Sequence, residues 1–188
     1  MEAAAGLEAT LAKVSLRMTG SLELDAVLGE ISRGLVDDLG AAMARIWLVR
    51  AAEPGTLNLV ASAGLSERVD GSHARVAIGA LKIGQIAEAR TPVCTTELAS
   101  DPRFVDKAWL KDNRLVSFAG YPLEVDGELV GVLALFSRRK LTEPELEWLA
   151  IFAAQASVAI KNARLFAEVD LLTRRLEAEN RYLKEELV

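Results

Sequence analysis

Two extended runs, Val116–Val125 and Glu128–Ser137, are apolar on both faces and are joined by Asp126-Gly127. An Asp-Gly pair between such runs favours a two-residue type I′ turn, because both turn positions need positive φ. The runs therefore read as a β-hairpin. Strand alternation puts Leu129, Gly131, Leu133 and Leu135 on one face and Val130, Val132, Ala134 and Phe136 on the other. A sheet with two apolar faces must be covered on both. That requirement sorts the rest of the chain.

Helices supply one cover. Leu7, Leu11, Val14 and Met18 recur at helical spacing over Ala3–Met18, an exposed stripe expected to meet its twin in a parallel homodimer through the first and last helices. A second helix is expected over Leu22–Leu39, with Ser21 as N-cap, Leu24, Val27, Leu28, Ile31, Leu35 and Leu39 on its buried side, and Gly40 at its end. Two shorter strands, Ala44–Val49 and Leu57–Ala63, flank an expected turn at Glu53-Pro54-Gly55. The stretch from Gly64 to Asn113 is irregular. Within it Leu81–Arg90 looks helical, Val93–Thr95 extended, and Phe104–Asp112 helical again. Broken structure of this length inside a compact domain marks a lid or pocket wall. It is the natural cover for the second face, with a cavity possible between.

The last helix is long. Thr142-Glu143-Pro144-Glu145 forms a capping box with Pro144 in the first turn, and no breaker follows from Leu146 to Val188. Its far half must find a partner outside the domain. Leu165, Val169, Leu172, Leu176, Asn180, Leu183 and Leu187 form a near-heptad seam with one extra step of four, and Asn180 falls at a core position, where Asn selects register and two strands. The plainer alternative is a helix that ends in solvent.

Composition narrows the chemistry. Hydrophobic residues make up 51% of the chain and charged ones 26%, enough for a packed core. The net charge of -5 argues against a phosphate-tracking surface, so no direct nucleic-acid binding is expected. One Cys and one His cannot make an intrachain disulfide or a structural zinc site. Neither His73 nor Cys94 has the surroundings of a nucleophile. No catalytic residue, metal or cofactor is expected. The start lacks a signal-peptide pattern, and the apolar stretch Leu149–Ile160 is short and interrupted by Gln155 and Ser157. A soluble, cytoplasmic chain without a membrane segment is the expectation.

Several stretches, in this order, resemble a GAF domain. They are Leu24-Asp25-Ala26-Val27-Leu28 through Gly40, Gly84-Gln85-Ile86-Ala87 through Pro92-Val93, and Asp101-Pro102-Arg103-Phe104. Ser117 through Pro122-Leu123 follows, with Gly127, Gly131 and Leu133, and then Phe152 through Ala163. The resemblance covers about Leu22 to Phe166. It implies an α+β fold: an antiparallel sheet with the N- and C-terminal helices on one face and a ligand-pocket insert on the other. It also implies a regulatory module, dimeric through its end helices. The tail, Arg174 to Leu187 with Glu179-Asn180-x-x-Leu183-x-Glu185-Glu186, resembles the linker that enters the ATPase domain of sigma-54-dependent transcriptional activators. Histidine kinases and diguanylate cyclases use similar helices and remain an alternative.

The expected organisation is therefore a dimerisation helix over residues 1–20, a GAF-like sensory domain over 21–166 and a signalling coiled coil over 167–188. The chain would bind a small molecule and pass its state through a dimeric helix to an output domain. The family's cyclic-nucleotide motif, bilin-bearing cysteine and multi-cysteine reductase site have no match here, and His73, in a loop, reads as a surface histidine rather than a haem ligand. Candidate pocket residues are Arg45, Trp47, Phe104, Trp109, Phe118 and Tyr121. Arg75, Arg103 and Arg114 join Arg45 as candidate partners of an anion, although surface roles are commoner. Trp148 reads as core. Two further readings stand beside the sensor: a redox-active enzyme using Cys94, and a dimerising spacer with no ligand.

Overall fold

In the computed structural model, Asp126 and Gly127 adopt φ of 54° and 75°, as a type I′ turn demands. They join β5 (Ser117–Val125) to β6 (Glu128–Ser137). The backbone is described for residues 2–187, and side chains for residues 6, 8, 9, 12–17 and 20–187. Ahead of the hairpin come α1 (Glu2–Thr19), α2 (Leu24–Asp37), β1 (Met43–Arg50), β2 (Glu53–Gly64), β3 (Arg75–Ala77), α3 (Leu81–Ala89), β4 (Val93–Thr95) and α4 (Lys107–Asp112). α5 (Glu143–Glu186) follows it. The strands form one six-stranded sheet in the order β3-β2-β1-β6-β5-β4, antiparallel at every pairing.

The two-sided sheet is covered as its apolar faces require. On the helix side, Val27, Ile31 and Leu35 of α2 and Leu149, Phe152 and Ile160 of α5 pack on Ile46, Leu123, Leu133 and Leu135. On the insert side, Leu57, Val76, Ile86, Leu98, Phe118 and Val132 form a second core. The hairpin departs from simple alternation at one point. Val130 is an extra residue: Leu123 pairs with Gly131 and Glu124 with Leu129. The bulge moves Val130 to the helix side and Leu129 to the insert side, the reverse of the sequence expectation.

Other boundaries shift for physical reasons. α2 starts at Leu24, so its N-cap is Glu23, and Ser21 Oγ instead accepts the Glu23 N–H. The helix ends as expected: the Gly40 N–H reaches Val36 and the Ala41 N–H reaches Leu35. The β1–β2 turn falls at residues 51–52, not at Glu53-Pro54-Gly55. Pro54 lies where the register shifts, between the Arg50–Glu53 and Val49–Leu57 pairs, so its missing N–H breaks no regular ladder. β3 is three residues in a polar stretch, too short for a sequence pattern to show.

Val14 belongs to the core. It is 2% exposed and lies under Gly34 of α2, so this part of the α1 stripe faces its own domain. Leu7, Leu11 and Met18 lie outside the described side chains. The capping box on α5 is present: Thr142 Oγ1 accepts the Glu145 N–H, and Glu145 accepts the Thr142 N–H. Arg139 then donates to both carboxylate oxygens of Glu145, at 2.9 and 2.6 Å, and holds that carboxyl below the ordinary range. Trp148 stacks on Phe152 at 5.3 Å and packs partly buried against the helix-side core.

Candidate functional site

β1 carries side chains to both layers. Trp47 points to the insert side, is 4% exposed, and donates its Nε1–H to the His73 carbonyl at 2.8 Å. Arg45, across from Ser62 and Ala134, donates through Nε to Ser62 Oγ at 3.0 Å, and burial disfavours its charge. Ser62 in turn donates to the Ser66 carbonyl. Phe104 and Trp109 come from the insert and are half-buried. Phe104 meets Phe118 edge-on at 4.9 Å, and Trp109 meets Phe136 at 5.5 Å. Arg45, Trp47, Phe104, Trp109 and Phe118 are thus on the insert side of the sheet.

Tyr121 is not. It stands three residues from Phe118 on one strand, and positions an odd number apart point to opposite faces. Its hydroxyl donates to the Leu146 carbonyl of α5 at 2.9 Å. The residue that joins the aromatic group instead is Phe136, cross-strand from Phe118 with centroids 5.0 Å apart. Counting back from the Asp126-Gly127 turn without a bulge sets Phe118 against Leu135, so the signal for Phe136 was hidden by Val130.

Several ionic groups near the insert and on the β3 edge are paired. Asp101, 8% exposed, is bound by Arg103 through Nε and Nη2, which holds its carboxyl far below the ordinary range. Lys107 donates to the carbonyls of Leu98, at 2.8 Å, and Asp101. Arg75 pairs with Glu53. The insert side carries the packed cluster around Trp47, Phe118 and Val132. A groove of about 540 Å³ lies on the helix side, between α1, the α1–α2 connection and α5, with Ser15, Leu16, Leu22, Gln155 and Val158 along it. Ser15 Oγ donates to Gln155 Oε1 there at 2.7 Å.

Cys94 sits half-buried on the edge strand β4, 3.6 Å from the Tyr121 hydroxyl. Burial pushes its thiol up, against a smaller opposing effect of the Tyr121 hydrogen bond. The thiolate is the reactive form, so this thiol is protected at neutral pH. Alkylation by iodoacetamide should be slow at pH 7, with a rate that still rises above pH ~8.5, the ordinary thiol value. A rate plateau near pH 7 would restore a redox role.

The other surface of note lies on α5. Ile160 and Ala163 are fully buried, Arg164 is half-buried, and every described residue beyond it is exposed. The exposed side chains are not random. Ile151, Val158, Leu165 and Leu172 stand seven apart, with Val169, Leu176 and Leu183 on the same stripe. The seam therefore begins inside the domain, fourteen residues before Leu165. The spacing of Ile151 and Val158 was the signal for it.

The family profile described as "GAF domain" matches residues 23–160. With the antiparallel sheet between helices and insert, this settles the class: the chain belongs to the GAF domain family. Among curated proteins it is similar to the Nif-specific regulatory protein of Herbaspirillum seropedicae, 28% identical over 186 residues, covering 95% of this chain and 33% of that protein. It is likewise 30% identical over 129 residues to the Nif-specific regulatory protein of Azospirillum lipoferum, covering 67% of this chain and 20% of that one. The chain spans a third or less of the curated relatives it matches. Among solved structures it resembles the GAF domain of a phosphoenolpyruvate-protein phosphotransferase from Coxiella burnetii. That likeness has a TM-score of 0.75 at 21% identity and covers 88% of this chain and 98% of the other. The curated relatives are regulators. Among the described residues no helix is long and apolar enough to cross a membrane, and no group of three or more His, Cys, Asp or Glu is placed to hold a metal.

Proposed function

We propose that the chain is a sensory module that pairs with a second copy along α5 and hands its state to an output domain beyond that helix. One observation carries this reading: past Arg164 the helix has no core of its own, yet Leu165, Val169, Leu172, Leu176 and Leu183 keep a heptad stripe. Apolar heptads bury themselves against a parallel twin. The phase set by Ile151 brings Glu179 and Leu183 into the seam, whereas a one-residue shift after Leu176 brings Asn180 and Leu187. Two phases in the last turns give the helix pair two states for a ligand to bias. Similarity to Nif-specific regulatory proteins supports transcription control through a sigma-54-dependent activator as the output. Histidine kinases and diguanylate cyclases are the alternative outputs.

The ligand side we assign to Arg45, Trp47, Phe104, Trp109 and Phe118. Phe104 and Trp109, half-buried like Arg45, come from the irregular insert rather than from a central strand, so they are the side chains that can swing aside. The packed insert-side cluster around Phe118 and Val132 supports a second reading, a dimerising spacer without ligand; a small molecule that raises the melting midpoint would count against it. Pairing is tested by Leu172→Cys in a Cys94→Ala chain under mild oxidation. A parallel seam brings the two position-172 sulfurs into disulfide range and gives a covalent dimer, whereas Arg174→Cys, on the outer face, gives none. Equal cross-linking at both positions would refute the parallel seam.

A further inference from the structure

Where α5 leaves the domain, Arg164 ties it to β1. Arg164 is the last residue of the helix with a partly buried side chain. Its Nη2 donates to the Val49 carbonyl, at the end of β1, at 2.8 Å. None of the ion pairs among the described residues involves it; its one hydrogen bond goes to a neutral carbonyl. Burial and the nearby Arg50 disfavour its charge, with Glu128 opposing them weakly. Release of the guanidinium would take this donor from the Val49 carbonyl and break the one hydrogen bond that Arg164 makes to β1. One turn earlier, Lys161 reaches Glu128 at 3.5 Å and Asp126 at 3.8 Å, so the β5–β6 turn braces the same point.

β1 connects that contact to the insert side. Its ladder with β6 ends at the Leu48–Gly131 pair, one residue before Val49. Two residues before Val49 stands Trp47, buried in the insert-side core and bonded to the His73 carbonyl. We infer that Arg164 is the positioning residue that couples β1 to the outgoing helix, so that a shift of the insert-side residues of β1 turns the exposed seam, and a change in the seam is felt at Trp47. The inference rests on the proposed pairing along α5. Coupling of this kind is reciprocal, so it can be read from the seam end without knowing the ligand.

The indole N–H resonance of Trp47, assigned by its loss in Trp47→Phe, is the reporter. In the otherwise native chain, the seam-breaking pair Val169→Glu and Leu176→Glu should shift that resonance, more than 120 residues away in sequence. With Arg164→Gln in place, the same pair should no longer move it. Arg164→Lys keeps the charge but is shorter and lacks the Nη2 donor that reaches the Val49 carbonyl, and should also lose the shift; it carries the test if the Gln variant fails to fold. A shift of equal size without Arg164, a full shift with Lys, or no shift in the native chain each overturns the coupling. Light scattering on the same samples separates the two claims. A native chain that is monomeric fails at the pairing itself, whereas a dimer whose Trp47 ignores the seam fails only at Arg164.

Discussion

Gly131→Ala is expected to cost about 3 kcal/mol or more, the upper end of overpacking penalties. A Cβ at this position would stand 2.0 Å from the Trp47 carbonyl oxygen and 2.9 Å from a Leu48 methyl. The clash is with backbone in the middle of the sheet, so no side-chain rotation relieves it. β1 and β6 would have to part at the Leu48–Gly131 pair, the last of their ladder. Gly55→Ala is the control, because nothing lies within 4 Å of its added carbon. Denaturant unfolding should show a lower midpoint for Gly131→Ala at an unchanged slope, with Gly55→Ala close to the native chain. A loss under ~1 kcal/mol at Gly131 would mean that the strands do not approach as described.

The second large effect is on association. Val169→Glu with Leu176→Glu places four carboxylates in a pair of helices that otherwise meet through apolar side chains. Burial of a Val or Leu side chain is worth roughly 1.5–3 kcal/mol, so the loss at four positions should weaken pairing by at least about a thousandfold. The domain should remain folded, since neither side chain touches its core; both are more than half exposed in the single chain. The tail should fray, because a short helix without a partner is marginal in water. Circular dichroism should therefore lose signal equivalent to the last turns of α5, and sedimentation should report one chain. A pair variant that still sediments as a dimer would place the interface elsewhere.

The parts of this fold with strong local chemistry were legible from the residues. The Asp126-Gly127 turn, the Thr142–Glu145 capping box and the Gly40 helix end each satisfy backbone demands through their own side chains or dihedrals, and each stands where the sequence put it. What was missed depends on partners far along the chain. The bulge at Val130 has no residue signature, yet it exchanges the faces of Leu129 and Val130 and sets Phe136 against Phe118. The misplacement of Tyr121 has another origin: it shares β5 with Phe118, and the odd separation that sends it to α5 is already visible in the sequence. Val14 looked like part of an outward stripe because the small Gly34 that receives it lies on another helix. The ends of the seam were visible in different degrees. Leu165 to Leu187 stands alone as an apolar repeat, whereas Ile151 and Val158 sit among core residues of the same helix, and only burial tells them apart.

The claim on which the rest depends is that α5 pairs two copies beyond the domain. Light scattering on the full chain, and on a chain ending at Phe166, tests it directly. Twice the 20.3 kDa of one chain is expected for the full length at concentrations of tens of micromolar, and a single-chain mass for the shortened one. A full-length monomer at those concentrations would contradict the account, as would a dimer that the truncation leaves intact.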